Sequence, residues 1–236
     1  MARSRITGRY HNRLLEVLDT AALAAVVPHL VPIAFERRHQ LEIPNRSVEQ
    51  VYFMEHGIAS VVARGDADSE TEVGIVGHEG VTGIAVILNG GRSPNSTYIQ
   101  VSGSGQSMAA SAFRSAIEAH DSLRTLLLRY VQSFLIQMAQ TTVANARATT
   151  DERLSRWLLM AHDRIDGDDL IITHEFLALM AGTRRSGVTE AMVRLAKAGL
   201  VRPGRGIVAI LDRKGLEQSA GRFYGISETE LDRLLG

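Results

Sequence analysis

The hydrophobic pattern of the chain changes near residue 110, and this change limits the folds that the chain can adopt. Before that point, short β-rich runs at 51–54, 58–63, 72–76 and 97–101 alternate with glycines. Short strands at this spacing are typical of an all-β barrel or roll. After it, apolar residues recur at intervals of three and four, which is the period of an amphipathic helix. We therefore predict an α+β chain with an N-terminal β-roll of the jelly-roll type, followed by helices.

Residues 123–147 contain neither glycine nor proline and predict one long helix. A helix of about 25 residues spans roughly 37 Å, which is longer than a small domain needs. It is either a central core helix or a helix that pairs with its twin across a two-fold axis. The continuous apolar stripe favours pairing. The stripe residues that we assign to a dimer interface are Leu123, Leu127, Tyr130, Phe134, Met138 and Thr141.

The segment 170–211 contains the most specific pattern in the chain. Thr173 is the predicted N-cap of a short helix, which Gly182 ends in a tight turn. Thr183 is the predicted cap of a second helix that continues to about Ala198. A helix, a short glycine turn and a second helix predict a helix-turn-helix, which lays its second helix in the major groove of DNA.

The start of that second helix carries side chains suited to DNA. Arginine can form two hydrogen bonds with a guanine edge, while hydroxyl groups and a helix N-terminus suit phosphates or bases. A basic pair at a helix N-terminus opposes the helix dipole, which a purely structural helix would avoid. The residues predicted to contact DNA are Thr173, Thr183, Arg184, Arg185, Ser186 and Thr189.

A predicted β-hairpin wing follows the second helix. Two apolar runs, at 200–201 and 207–211, flank a turn rich in glycine and arginine, with Arg205 at its tip beside a DNA phosphate. From Arg184 to Lys214 the sequence has eight Lys or Arg and two acids, a local net charge of +6 in a chain of net charge zero. A reader of DNA grooves and backbone requires such a local concentration of positive charge.

Composition excludes several kinds of site. Cysteine is absent, which excludes disulfides, iron–sulfur clusters, zinc–thiolate sites and thiol redox sensing. The apolar runs are shorter than the ~20 residues of a membrane span, and the basic N-terminus lacks the apolar run of a signal peptide. We therefore expect a soluble cytoplasmic protein that does not associate with a membrane.

The sequence contains no residue pattern typical of catalysis or of metal binding. No His and Glu cluster, Ser/His/Asp grouping or phosphate loop stands out, so we expect no catalytic residues, no metal site and no enzymatic activity. The first half contains His29, His39, His56 and His78 without a His-x-His or His-x-x-x-His pair. Each of these histidines is therefore expected to be a lone surface or core residue rather than a haem ligand.

Together, these features resemble the CRP/FNR family of bacterial transcription regulators. The similarity covers nearly the whole length and is strongest at 172–174, 180–189 and 199–201. It implies a homodimer that binds double-stranded DNA at a palindromic operator and contacts RNA polymerase. Arg185 falls where the family's cyclic-AMP receptor has a guanine-reading arginine. Ser186 and Glu190 differ from the residues usual at their positions, which implies an operator other than the TGTGA or TTGAT half-site.

Residues 77–93 resemble the family's phosphate-binding cassette. The resemblance implies an effector site at Gly83, Arg92 and Ser93, with a cyclic nucleotide as the candidate ligand. Ile84 stands where cyclic-nucleotide binders have a ribose-binding glutamate, and its side chain cannot accept a hydrogen bond. The glycines at 90–91 are either a backbone cradle for an anion or plain β-turns.

We expect a β-roll sensor over residues 1–120, a dimerisation helix over 121–149 and a winged helix-turn-helix over 150–236. The predicted function is sequence-specific regulation of transcription, with an effector in the β-roll as its control. Two alternatives remain. One is an effector-binding or adaptor protein that does not bind DNA, and the other is an enzyme built on a cupin-like β-barrel.

Overall fold

The computed structural model describes residues 10–65 and 70–236. The chain divides into two compact units. Of the described residues, the first unit contains 10–59, 76–132 and 234–236, and the second contains 60–65, 70–75 and 133–233. A long strand and a long helix each contribute residues to both units. The boundaries at 120 and 149 that the sequence suggests remain predictions.

The first half of the chain is built mainly of strands, as the sequence predicts. In chain order its elements are α1 (Arg13–Val17), α2 (Thr20–Val26), a short 3-10 helix (Val27–His29), β1 (Val31–Phe35), β2 (Gln40–Glu42), β3 (Gln50–Arg64), β4 (Glu70–Val76), α3 (Ile84–Ile87), β5 (Ser96–Ala109) and α4 (Ala110–Ala119). The strands form a five-stranded sheet in the order β1-β5-β3-β4, and β2 also pairs with β5. Strand β1 runs antiparallel to β5, with Ile33 opposite Gly105.

Glycine lies inside strands where the sequence predicts a turn. The predicted strands 51–54 and 58–63 are joined in β3, and Gly57 lies within it at φ +84°. A Cβ added at Gly57 would lie 2.5 Å from the carbonyl oxygen of Val101, and one at Gly103 in β5 would overlap the carbonyl of His56. These glycines therefore permit a close approach of two backbones, which is one of the uses of glycine within a strand.

Asn12 ties the start of the chain to two parts of the sheet domain. Its side-chain oxygen accepts a hydrogen bond from the amide of Leu15 at 3.2 Å, so Asn12 caps α1. Its side-chain nitrogen donates to the carbonyls of Met54 and Gly80, both at 2.7 Å. The Asn12 side chain is fully buried, and these bonds offset the cost of removing an amide group from water.

The second half of the chain is mainly helical. In chain order its elements are α5 (Asp121–Arg147), α6 (Thr150–His162), β6 (Asp169–Leu170), α7 (His174–Met180), α8 (Arg185–Lys197), β7 (Val201–Gly204), β8 (Ile207–Ile210), α9 (Arg213–Ala220), a short 3-10 helix (Gly221–Phe223) and α10 (Ile226–Leu235). The short strands form a sheet in the order β6-β8-β7. Among the described residues, no helix combines the length and the apolar character needed to cross a bilayer.

Helix α5 is continuous, as predicted, but it buries the stripe that the sequence assigns to a dimer interface. Leu123, Leu127, Tyr130 and Phe134 are all buried within the chain itself. The hydroxyl of Tyr130 donates to the carbonyl of Val81 at 3.0 Å. The remaining stripe residues are also covered in part or in full, namely Met138 and Thr141. The assignment of this stripe to a dimer interface is therefore corrected: it packs in the core of the chain itself. The apolar face of an amphipathic helix is the one that normally faces the core.

The buried side chain of Glu72 joins β3 and β4 to α6 within the second unit. Glu72 on β4 accepts hydrogen bonds from the hydroxyl of Ser60 at 2.5 Å and from the indole nitrogen of Trp157 at 2.7 Å. Burial raises the pKa of Glu72 to about 8, against the partial opposing effects of these bonds and of Arg156 and Arg164. Glu72 is therefore a proton-binding group inside the core of this unit.

Candidate nucleic-acid interface

The turn between α7 and α8 is set by local hydrogen bonds. Thr173 caps α7, because its hydroxyl accepts a hydrogen bond from the amide of Phe176 at 3.4 Å. At the other end of α7, Gly182 has φ +55°. The amide of Thr183 donates to the carbonyl of Ala178 at 2.9 Å, and the amide of Gly182 donates to Leu179 at 3.3 Å. This pair of bonds is a Schellman motif, which requires a left-handed residue and explains the glycine.

Helix α8 begins one residue later than the predicted cap requires. Its N-cap is Arg184, and no side-chain capping bond is formed there. Thr183 is not the cap, because Arg184, with φ −79° and ψ 152°, is the extended residue directly before the helix. The backbone N–H groups of the first turn of α8 therefore have no side-chain cap, and they form the positive end of the helix dipole.

The two faces of α8 divide as the sequence predicts. Val188, Met192 and Leu195 are buried against the rest of the unit. The opposite face, at the N-terminal end of the helix, is exposed and carries Arg184, Arg185, Ser186 and Thr189. Thr183 is half-buried beside them. The structure thus brings the predicted DNA-contacting residues of α8 onto one exposed surface.

His174 also lies at this surface, although the sequence did not predict it there. The hydroxyl of Thr189 donates to the carbonyl of Arg185 at 3.0 Å and also lies 3.2 Å from Nδ1 of His174. Since the hydroxyl proton of Thr189 is directed at Arg185, the bond to His174 forms when Nδ1 carries the proton. His174 is the first residue of α7, directly after the Thr173 cap. Its place next to a residue predicted to contact DNA is the feature of the sequence that could have identified it.

The wing forms at the predicted position. Strands β7 and β8 are antiparallel with Gly204 opposite Ile207, so Arg205 and Gly206 form a two-residue turn. Gly206 has φ +75°, a conformation that glycine adopts readily. Arg205 is exposed at this tip. Since β8 also pairs with β6, with Val208 opposite Leu170, the wing has a third strand as a base.

Two of the eight basic residues between Arg184 and Lys214 are paired with acidic side chains. Arg194 forms two hydrogen bonds with Asp151, at 2.6 and 2.8 Å. Arg213 contacts Asp163 at 2.6 Å and Glu217 at 3.1 Å. Six further basic side chains are exposed and form no ion pair with an acid in residues 10–65 and 70–236, namely Arg184, Arg185, Lys197, Arg202, Arg205 and Lys214. The free positive charge is thus concentrated on α8, the wing and the start of α9.

Three glycine amides in the cassette-like segment of the first unit are already bonded within the chain. The amides of Gly90 and Gly91 both donate to the carbonyl of Ala85, at 2.7 and 3.0 Å. The anion cradle considered from the sequence is therefore wrong, and the glycines end α3 in a turn. The backbone amide of Gly83 donates to a carboxylate oxygen of Glu42 at 3.0 Å. Glu42 is buried, and this burial raises its pKa although the bond from Gly83 opposes the change.

The other two residues of the predicted effector site have different surroundings. Arg92 is exposed and forms a backbone bridge with Ser47. Ser93 is half-buried, and its hydroxyl accepts a hydrogen bond from the amide of Asn95 at 3.0 Å. Gly83, by contrast, is fully enclosed, since an added Cβ would lie 2.6 Å from the side chain of Val51. An effector role for Gly83, Arg92 and Ser93 remains a prediction.

Residues 152–219, which include most of α6 and all of α7, α8, the wing and most of α9, match the Crp-like helix-turn-helix domain family. This part of the chain is therefore similar to Crp-like helix-turn-helix domains. In this match the exposed start of α8 corresponds to the start of the second helix of a Crp-like helix-turn-helix, and Arg205 lies at the tip of the hairpin in the same matched range. Comparison with curated protein sequences finds no match.

The fold of the chain as a whole is that of CRP/FNR regulators, which confirms the resemblance seen in the sequence. A regulator of the Crp/Fnr family from Eubacterium rectale aligns with a TM-score of 0.67 and 16% identity over 86% of this chain and 95% of its own. A CRP-family transcriptional regulator from Thermus thermophilus gives 0.66 and 19% identity over 80% and 96%. FixK2 from Bradyrhizobium japonicum gives 0.68 and 13% identity over 81% and 98%.

Proposed function

We propose that this protein is a sequence-specific DNA-binding transcription regulator that binds a palindromic operator as a homodimer. The observation that carries the proposal is the exposed, uncapped start of α8, where Arg184 and Arg185 stand on the second helix of a Crp-like domain. A helix start of this kind supplies both backbone N–H groups for a phosphate and guanidinium groups for a guanine edge.

The residues of this surface have different proposed roles. Arg185 reads a guanine, since it is the first residue of α8 and has no acidic partner among the described residues. Thr173, Thr183 and Ser186 contact phosphates or base edges through their hydroxyls. Arg205 on the wing contacts a phosphate, so it contributes affinity for all DNA sequences alike.

Thr189 has a narrower role than the sequence suggests. Because its hydroxyl proton is directed at the carbonyl of Arg185, Thr189 can present its methyl group and an acceptor to a base. His174 adds a ring next to this acceptor, and we propose that it contacts the DNA backbone beside the groove.

The proposed dimer interface is the face of α5 that the chain leaves exposed. Leu128, Leu135 and Val143 are 47%, 57% and 46% exposed on this helix. Further exposed residues lie at three- and four-residue intervals along the same face, namely Thr125, Gln132, Ala139, Thr142 and Ala146. The spacing of seven between Leu128 and Leu135 is that of a coiled-coil seam. A second copy of this chain covers it and places two recognition helices ~34 Å apart, one turn of DNA.

The β-roll is the proposed site of regulation, and a cyclic nucleotide is not the effector that its geometry favours. An anionic phosphate at the Gly83 amide would have to displace the Glu42 carboxylate, which already accepts that hydrogen bond. Ile84 provides no acceptor for a ribose hydroxyl. RNA polymerase is the proposed partner in transcription, and the cytoplasm is the proposed compartment.

Selection of bound DNA from a random pool tests the proposal directly. The selected half-sites should form an inverted repeat, and the affinity for it should fall steeply as salt rises, because bound phosphates release counterions. Arg185→Ala should weaken operator binding by about 1–3 kcal/mol and relax the preference at one base pair of each half-site. Arg46→Ala is the matched control. Arg46 is exposed on the β-roll, and its substitution removes one positive charge, as Arg185→Ala does.

Two results would contradict the proposal. Absence of DNA binding at low salt would favour the adaptor alternative, in which the helix-turn-helix contacts protein. An equal loss of affinity in Arg185→Ala and Arg46→Ala would show that only net charge matters and that α8 does not read bases.

A further inference from the structure

Three histidines from distant parts of the sequence meet in the first unit. The ring centroids of His11 and His56 are 4.9 Å apart, and those of His11 and His78 are also 4.9 Å apart. A ring nitrogen of His11 lies within 4.8 Å of one of His56. His11 and His56 are exposed and His78 is half-exposed. The sequence predicts His56 and His78 as lone residues, because no local spacing links them, and it gives no prediction for His11.

The backbone beneath these rings is held by buried hydrogen bonds. Asn12, next to His11, donates to the carbonyls of Met54 and Gly80, each of which is two residues from one of the other histidines. The amide of Arg13 donates to the carbonyl of His78 itself at 2.7 Å. The backbone positions of the three histidines are therefore fixed relative to one another before any ligand arrives, which is the kind of support that a binding site needs.

The spacing suits a transition metal ion. Imidazole nitrogen is a favoured ligand of Zn²⁺, Ni²⁺ and Cu²⁺. With Zn–N bonds of about 2.0–2.1 Å, two nitrogens on a tetrahedral ion lie about 3.4 Å apart. The rings of His11 and His56 are exposed and carry nitrogens within 4.8 Å of each other, so rotation about their side-chain bonds can bring these two nitrogens to that separation. His78 is placed beside them by its ring, whose centroid is 4.9 Å from that of His11.

We propose that His11, His56 and His78 form a binding site for a divalent transition metal, with zinc or nickel as the class of ion and water completing the coordination. His11 is the central ligand, since its ring is the one that lies next to both of the others. The site shares no residue with the surface proposed to contact DNA, so the proposal goes beyond the proposed function and does not depend on it.

Calorimetric titration of the untagged full-length protein with Zn²⁺ alone, and then with Ni²⁺ alone, tests the site. We expect one ion per chain. His11→Ala and His56→Ala should each weaken binding by at least about tenfold, since loss of a ligand should cost no less than loss of an outer-shell partner. Both side chains are exposed, so the variants should retain the wild-type melting temperature in the absence of metal.

A matched control and a second measurement make the test specific. His39→Ala removes another exposed histidine, which lies outside the cluster, and should bind the metal as the wild type does. In NMR spectra, metal should shift the imidazole resonances of the three cluster histidines. Unchanged affinity in His11→Ala, equal loss in His39→Ala, or no binding of either ion would overturn the proposal. DNA binding of the metal-free protein, measured on the same preparations, tests the proposed function independently.

Discussion

Replacing Glu72 with glutamine is expected to remove most of the pH dependence of stability in the second unit. The Glu72 side chain is buried between Ser60 and Trp157, from which it accepts hydrogen bonds at 2.5 and 2.7 Å. Glutamine keeps the shape of the side chain and an oxygen that accepts from the indole. It cannot ionise, so the folded and unfolded states of the variant bind protons equally at this position.

The expected magnitude follows from the two pKa values of the carboxyl group. Burial raises the pKa of Glu72 to about 8 from an ordinary value of 4.5. A raised pKa in the folded state means that the folded chain holds the proton more tightly, so its stabilising effect is present below about pH 4.5 and is lost as pH rises towards 8. Each pH unit in this window corresponds to about 1.4 kcal/mol. Between about pH 5.5 and about pH 7.5 the wild type should therefore lose on the order of 3 kcal/mol through this group alone.

Urea unfolding followed by tryptophan fluorescence measures this effect, because Trp157 is the only tryptophan of the chain and its indole contacts Glu72. The free energy of unfolding should fall between about pH 5.5 and about pH 7.5 by on the order of 3 kcal/mol more in the wild type than in Glu72→Gln. Glu70→Gln, on the same strand but in a surface ion pair with Arg64, should keep the wild-type profile. Parallel pH profiles of wild type and Glu72→Gln would refute the reasoning.

Three further predictions concern the interface and its turn. Leu135→Glu should produce monomers in sedimentation and weaken operator binding with them, whereas Arg64→Glu should not; a dimeric Leu135→Glu would contradict the proposed seam. Arg205→Ala should lower the affinity for operator and random DNA by the same factor, and it should reduce the slope of log affinity against log salt concentration by about one. A change in base preference would contradict the role of Arg205 as a phosphate contact. Gly182→Ala should cost about 1–2 kcal/mol in thermal unfolding, because φ is +55° there; a neutral effect would contradict the Schellman turn.

The sequence alone was sufficient for the parts of the interface that depend on neighbouring residues. Thr173 caps α7, Gly182 ends it, Gly199 ends α8 at φ +75°, and Gly206 turns the wing. Each of these features depends on hydrogen bonds or dihedral angles within a few residues, so the local sequence is sufficient to predict it. The predicted cap of α8 was wrong by one residue, because the helix begins at Arg185 and its N-cap is Arg184.

Tertiary structure decided the features that depend on which distant residues meet. It assigned the apolar stripe of α5 to the chain's own core and left Leu128 and Leu135 exposed instead. It paired Arg194 with Asp151, placed Gly57 against another strand, and brought His11 beside His56. Helical period identifies an apolar face but not its partner, and contacts between residues far apart in sequence form only when the whole core packs, so no local pattern specifies them.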